Sequence, residues 1–451
     1  MPILLLKYSW PALVAMTLNA LYSVVDRVFI GQFCGVDSMA AITLSMPVVA
    51  FFSAFGVFIG AGHAALLSIK LGENNLEACE KLLGQLVAFK LLVFAVLSPL
   101  VYFNLDTVLS WCGADKVSQQ SYEYARQYLA LVVFSHIFSH LAFGLSAMQR
   151  AEGNAVKSMK SLVVGFAANI ILDPIFIFCF DMGVRGAAWA TNISMFLSAL
   201  WAVRYYMNGS MLVKFKPAFV RIHPDLVFKP FSIGLAPFVQ QLMGSVIIIS
   251  LQLAFAYWIK DERLLTRQVA SLGVFHAALI LILMPILGCQ QGLQPIIGYN
   301  WGARNFKRVK SALVTGFAVT TVLSFVAWLI QVVPPFPHLL SKMFISAEDI
   351  ETVSLATHDL VLSNCMIWCV SLNIVATTYF QSIGKGFVAL ALSTLRQGVV
   401  MLPLIWFLPF FFDNKASAIW AALPISDVVC CAATFIPLYF HWRFLKLIKS
   451  R

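Results

Sequence analysis

The chain has 451 residues, of which 60% are hydrophobic and only 11% charged, with 38 Phe. Soluble domains carry roughly 25% charged residues, so the composition excludes an ordinary soluble protein and points to an all-α, multi-pass integral membrane protein. The formal charge of +11 does not mark a nucleic-acid partner. The basic residues form no single patch; they recur in short loops on alternate sides of apolar runs, which is the positive-inside pattern.

In chain order, apolar runs of about the 20 residues that a bilayer core requires are expected near 8–32, 40–70, 82–104, 123–148, 157–180 and 186–207. A polar linker over 208–229 follows, then runs near 230–258, 268–299, 308–333, 352–383, 387–411 and 416–442. The expectation is about twelve transmembrane helices, divided into an N-terminal six-helix lobe over 1–207 and a C-terminal six-helix lobe over 230–451. Loops on one side carry Lys70, Arg150, Lys214, Lys216, Arg304, Lys385 and Arg443, and those opposite carry Asp37, Asp106, Asp181, Asp261 and Asp349. Both termini and the linker are therefore expected on the cytoplasmic side of the inner membrane. One Lys precedes the first run without a small-residue cleavage pattern, so the opening residues are read as the approach to span 1 and not as a cleavable signal.

The halves repeat each other. GHAALLSIKLGENNLEACEK (62–81) aligns with GLQPIIGYNWGARNFKRVKS (292–311), pairing Gly62 with Gly292, Gly72 with Gly302 and Asn75 with Asn305. GAAWAT (186–191) answers SAIWAA (417–422), and Pro11 answers Pro237 near the starts of spans 1 and 7. An even number of spans per half gives both halves the same orientation. Parallel repeats of this kind occur in secondary transporters, whose sites lie near the bilayer midplane.

Ionisable residues inside spans are costly and tend to face a water-filled path or a partner. Asp26, in PALVAMTLNALYSVVDRVFIG, is the first of these; its other reading is a local pair with Arg27 near a helix end. In span 5, Asn169 and Asp173 are spaced to share one helix face. Pro174 follows, removes the hydrogen bond to the Ile170 carbonyl and should kink the helix. A carboxylate, an amide and a freed carbonyl could hold Na⁺ or a proton, and Thr191 in span 6 could add a hydroxyl. Alternatively Asp173 pairs locally at an outer helix end.

His136 and His140 share a face but lack a third ligand. His63 and His276 are single polar groups suited to hydrogen bonds between helices, or to lining a cavity with Gln240, Gln241 and Asp427. Among the basic residues Arg27, Lys90 and Arg396 are exceptions that fall within spans. The nine Cys form no CxxC or zinc-type set. No metal is expected beyond Na⁺ at Asp26, Asn169 and Asp173, and no cofactor. Without a Walker motif, HExxH or nucleophile–base set, the chain is read as a transporter and not an enzyme.

LNALYSVVDRVFIG, GENNLEA, QRAEGN, ANIILDPIFIF, NWGARNFKRVK and FQSIGKG, taken in this order, resemble the multidrug and toxic compound extrusion (MATE) family, in the manner of its MepA-like bacterial group. The resemblance covers essentially the whole chain. It implies two six-helix lobes around a V-shaped cleft, and a monomer that exchanges H⁺ or Na⁺ for amphipathic, often cationic small molecules by alternating access. It also implies that Asp26, with the bend-forming Pro11, joins Asn169, Asp173 and Thr191 in coupling. The NorM branch uses acids in spans 7 and 10. Span 7 here offers Gln240, Gln241 and Ser245, and NCMIWCVSLN in the middle of span 10 has no acid, so the first lobe is expected to carry coupling. The alternative is a flippase for lipid-linked oligosaccharide from the same broad superfamily, which would need cationic cavity residues to hold pyrophosphate.

Overall fold

The computed structural model describes residues 1–33, 35–112, 118–208, 212–345 and 349–448, which are helical almost throughout. Apolar runs in lipid must satisfy their own backbone hydrogen bonds, and the helix does this within one segment. The first half comprises α1 (Pro2–Phe33), α2 (Gly35–Gly72), α3 (Leu76–Phe103), the short α4 (Leu105–Trp111), α5 (Gln119–Ala151), α6 (Ala155–Pro174) and α7 (Gly183–Met207). The second comprises α8 (Phe228–Trp258), α9 (Glu262–Gly302), α10 (Phe306–Val332), the short α11 (Phe336–Phe344), α12 (Ile350–Asn364), α13 (Trp368–Ser382), α14 (Gly386–Thr394), α15 (Leu402–Phe407) and α16 (Lys415–Ile448).

Among the described residues ten helical segments are long and apolar enough to cross a membrane, and α12 with α13, bent by 47° at their break, make an eleventh. The remaining long helix is α1, with 32 residues. The expected all-α membrane fold is present. Most helices run somewhat past the apolar runs, into polar capping residues.

The sequence repeat is also a repeat of backbone geometry. At the end of the bundle that carries most basic residues, Asn74 and Arg304 take φ of 57° and 55°. Asn75 and Asn305 then cap α3 and α10, accepting from the N–H of Ala78 and Arg308 at 3.0 and 3.2 Å. Gly153 and Gly384, with φ of 94° and 78°, make the matching turns from α5 to α6 and from α13 to α14. Only glycine takes such angles without steric cost. In the first of these turns Glu152 is packed against α7, and Tyr205 donates to its Oε2 at 3.3 Å. Burial pushes the Glu152 carboxyl up to about 8.

The lobes meet at this same basic end, backbone against backbone. A Cβ at Gly72 would lie 2.0 Å from the Tyr299 carbonyl oxygen, and one at Gly302 would lie 2.0 Å from that of Ile69. These matched glycines of the repeat thus make reciprocal contacts between α2 and α9. Further along the seam Phe55 and Phe58 pack on Phe238, with ring centroids 5.2 and 5.3 Å away. Beyond Phe238, Gly244 on α8 and Gly273 on α9 have nothing within 4 Å of a built Cβ among the described residues. The close contacts described between the lobes lie toward the basic end.

The segment between α7 and α8 lies against the first lobe, with Val213 and Leu226 in the core formed by α2 and α3. Gln85 on α3 ties it down, accepting from the His223 N–H at 2.9 Å and donating to the Leu226 carbonyl at 3.1 Å.

Gly302→Val should force α2 and α9 apart and cost about 1–3 kcal/mol through overpacking, whereas Gly244→Val, facing open space, should be nearly silent. Thermal unfolding of the two purified variants checks this; equal losses would contradict it. Between about pH 4.5 and 8 the folded chain holds a proton on Glu152 that the unfolded chain has released. Stability from this group therefore falls as pH rises through that window. Glu152→Gln should flatten the fall, measured as the difference in Tm between the two ends of the window, and an unchanged difference would refute the assignment.

Candidate coupling site and central cleft

Asn169 and Asp173 lie one turn apart on α6, and both are fully buried. Asn169 Nδ2 donates to Asp173 Oδ1 at 3.2 Å, and Asn169 Oδ1 makes no hydrogen bond among the described residues. Pro174 has no N–H, and directly after it the helix widens into a π turn over Ile175–Cys179. The expected disruption is a local widening, placed against Asp173. Such turns often accompany functional sites.

Two neighbouring helices enclose this face. The α1 helix runs beside α6, where Tyr22 stacks on Phe166 with centroids 5.3 Å apart and planes within 9°. Pro11 is buried inside a continuous α1. Asp26 and Arg27 fall within α1, and their side chains lie outside the described residues. On α7, Thr191 is half-buried and its carbonyl accepts from Ser194 Oγ at 2.8 Å.

The other candidates separate by depth. Gln240 and Gln241 sit just beyond the Phe238 seal, half-buried and exposed respectively, and His276 is half-buried about one turn from Gly273. These three lie away from the close contacts of the basic end. His63 does not line the cleft: the side chain is fully buried, with Nδ1 2.8 Å from the Ile59 carbonyl and Nε2 3.3 Å from Gln85 Nε2. It belongs to the network that holds the segment between the lobes. Asp427 is also removed from the cavity set. It is 4% exposed and accepts from Arg396 Nε at 2.7 Å, across from α16 to the π turn at Leu395–Met401. His136 stacks on Phe52 with centroids 4.4 Å apart, and His140 Nε2 is 2.9 Å from the Phe52 carbonyl. Both serve the packing of α5 on α2. No group of three metal-ligating residues occurs among the described residues.

Two buried polar residues have more weight than sequence reasoning assigned them. Asp359 on α12 is 1% exposed, accepts from Ser271 Oγ at 2.8 Å and lies 3.3 Å from His358 Nδ1. It precedes the break in span 10, outside the acid-free middle of that span. Lys90 on α3 is fully buried and donates to the Gly56 carbonyl at 3.1 Å. Its stem fills the groove between α2 and α5, where a Cβ at Gly144 would stand 2.2 Å from Lys90 Cε.

The MatE family model matches residues 11–175 and 241–407, once in each half. The chain belongs to the MatE family. It is 26% identical over 442 residues to the multidrug export protein MepA of Staphylococcus aureus strain MSSA476, covering 96% of this chain and 93% of that protein. It is 24% identical over 441 residues to MepA of Staphylococcus saprophyticus, again covering 96% and 93%. Among solved structures, the MATE multidrug transporter DinF-BH, solved as a complex, shares 30% identity and a TM-score of 0.87, covering 97% of this chain and 95% of that one. An outward-facing MATE transporter of the MOP superfamily shares the fold, with a TM-score of 0.90 over 99% of this chain and 96% of that one at 19% identity. In this MatE chain, then, the Asn169–Asp173 face belongs to a two-lobed transporter fold.

Arg396→Ala would strand the Asp427 carboxylate. Removing one partner of a buried pair costs roughly 3–5 kcal/mol, and the low end is expected because Arg396 keeps 21% of its side-chain exposure. Arg396→Met combined with Asp427→Leu should recover most of the loss. Tm measured for the single and double variants decides this; a single variant as stable as the parent would show that the pair is dispensable.

Proposed function

We propose that this chain is a secondary active antiporter that exports amphipathic, often cationic small molecules across the cytoplasmic membrane, driven by inward movement of H⁺ or Na⁺. The observation that carries this reading is the buried Asn169–Asp173 pair, whose Asn169 carbonyl oxygen has no donor among the described residues, set against a π turn in a MatE-family fold. A buried amide oxygen without a donor, beside a carboxylate, forms a receptive place for a cation or a proton. Asp26 follows Tyr22 by one turn of sequence, as Asn169 nearly follows Phe166. The Tyr22–Phe166 stack therefore supports Asp26 as a partner of Asp173, with Thr191 on the flanking helix.

Alternating access follows from placing this site in one lobe while substrate occupies the cleft between both. With the basic end in the cytoplasm, the close contacts between the lobes face inward, which supports a cleft open to the outside. Cation or proton binding at Asp26 and the Asn169–Asp173 face neutralises the buried charge and repositions α1 about Pro11, displacing substrate outward. Loss of the ion to the cytoplasm resets the lobe for loading. Both walls of the cleft come from the two lobes of one chain, which supports a monomer as the working unit. The flippase reading is weaker. Lys90 is buried within a lobe and Arg396 is paired with Asp427, so of the three cations within spans only Arg27, whose side chain lies outside the described residues, is left for a pyrophosphate.

Proteoliposomes holding the purified chain, loaded with an amphipathic cationic dye and given separate proton and sodium gradients, test the reading. One gradient should drive dye movement, and Asp26→Asn and Asp173→Asn should each abolish the driven component while leaving the protein folded. Undiminished transport by both variants, or transport driven by neither gradient, would sink the assignment.

A further inference from the structure

On the outer face of the second lobe, α10 and α16 both pack on α13 and leave a groove of about 710 Å³ between them. Leu372 of α13 lies at its floor. Leu313 and Phe317 of α10 and Phe435, Leu438 and Trp442 of α16 line it. Phe435 is 58% exposed, so this wall faces the surroundings of the bundle. At the basic end the groove changes chemistry. Lys310 Nζ lies 4.2 Å from the Trp442 ring centroid, and the Arg443 guanidinium lies 5.4 Å from that of Tyr439.

Lys307 and Arg308 stand exposed on the same first turns of α10. The sequence has no acid from residue 303 to 333, nor from 428 to 451. The cations at the groove mouth thus have no carboxylate on α10, and α16 carries only Asp427, which is already bonded to Arg396. An apolar groove alone would accept any acyl chain or apolar helix, and the charge at its mouth selects among these. An incoming apolar helix would leave Lys310 and Arg443 uncompensated. A phosphate at headgroup depth would satisfy both, as basic pockets between transmembrane helices do for anionic head groups. Trp442 and Tyr439 are of the type enriched at that depth.

We propose that this groove binds one anionic phospholipid from the leaflet at the basic end. An acyl chain lies along the aliphatic and aromatic walls, and its phosphate is held by Lys310 and Arg443. A zwitterionic lipid would bring its own cation to the same two residues and bind less well.

Native mass spectrometry of the full chain in detergent, titrated separately with phosphatidylglycerol and phosphatidylcholine, tests the site without reference to transport. The parent should retain phosphatidylglycerol preferentially. Lys310→Gln with Arg443→Gln should weaken that binding by about fivefold for each charge removed and leave phosphatidylcholine unchanged. Leu313→Trp, which fills the groove, should displace both lipids. Equal retention of the two lipids by the parent would overturn the proposal, as would undiminished phosphatidylglycerol preference in the double variant. A dimer dissociated by Leu313→Trp would assign the groove to a second copy of the chain and overturn it equally.

Discussion

Helix backbones touch across the midline at Gly72 and Gly302, and this contact fixes how the two lobes meet. In lipid no hydrophobic force draws apolar helices together, so association rests on close van der Waals packing, which small residues permit. Here the carbonyls of Tyr299 and Ile69 occupy the space that side chains at Gly302 and Gly72 would otherwise claim. The aromatic seal around Phe238 extends the contact toward mid-membrane. A rigid contact at one end is what a two-lobed transporter needs in order to present a site to one side at a time.

Duplication has preserved this scaffold and let the buried polar chemistry drift. The capped turns at Asn75 and Asn305 and the glycine turns at Gly153 and Gly384 repeat closely. The ionisable interiors do not. The first lobe has an amide and a carboxylate on one helix, and the amide oxygen has no donor among the described residues. The second has a carboxylate bonded to a guanidinium, and another bonded to Ser271. A charge already paired gains little from a cation, whereas an amide oxygen that has no donor among the described residues can accept one; this contrast is what the first-lobe proposal rests on, and Asp359 is a second-lobe acid that sequence reading undervalued.

The candidate site was legible to the extent that it is local. Asn169, Asp173 and Pro174 lie within two turns of one helix, so spacing alone brings them to one face. The roles of His63 and Asp427 were not legible, because their partners are remote in sequence: Gln85 on the next helix for the first, Arg396 across a helical break for the second. An isolated histidine or aspartate in an apolar run reads the same whether it lines a cavity or is tied into a wall. The π turns and the 47° bend of span 10 were likewise hidden, since hydropathy reports where a span lies but not how its backbone hydrogen bonds are redistributed.

What the amino-acid order determined by itself was the membrane class, the spans, their duplication and the residues spaced to form a polar face on α6. Those properties follow from periodicity, apolar length and the cost of exposing backbone to lipid, and each is settled within a single helix or turn. Only the tertiary structure decided where the two lobes make close contact, which buried charges are already compensated, and where an apolar groove meets a pair of cations. These depend on contacts between helices far apart in the chain, and packing sets them through the shapes of both surfaces at once.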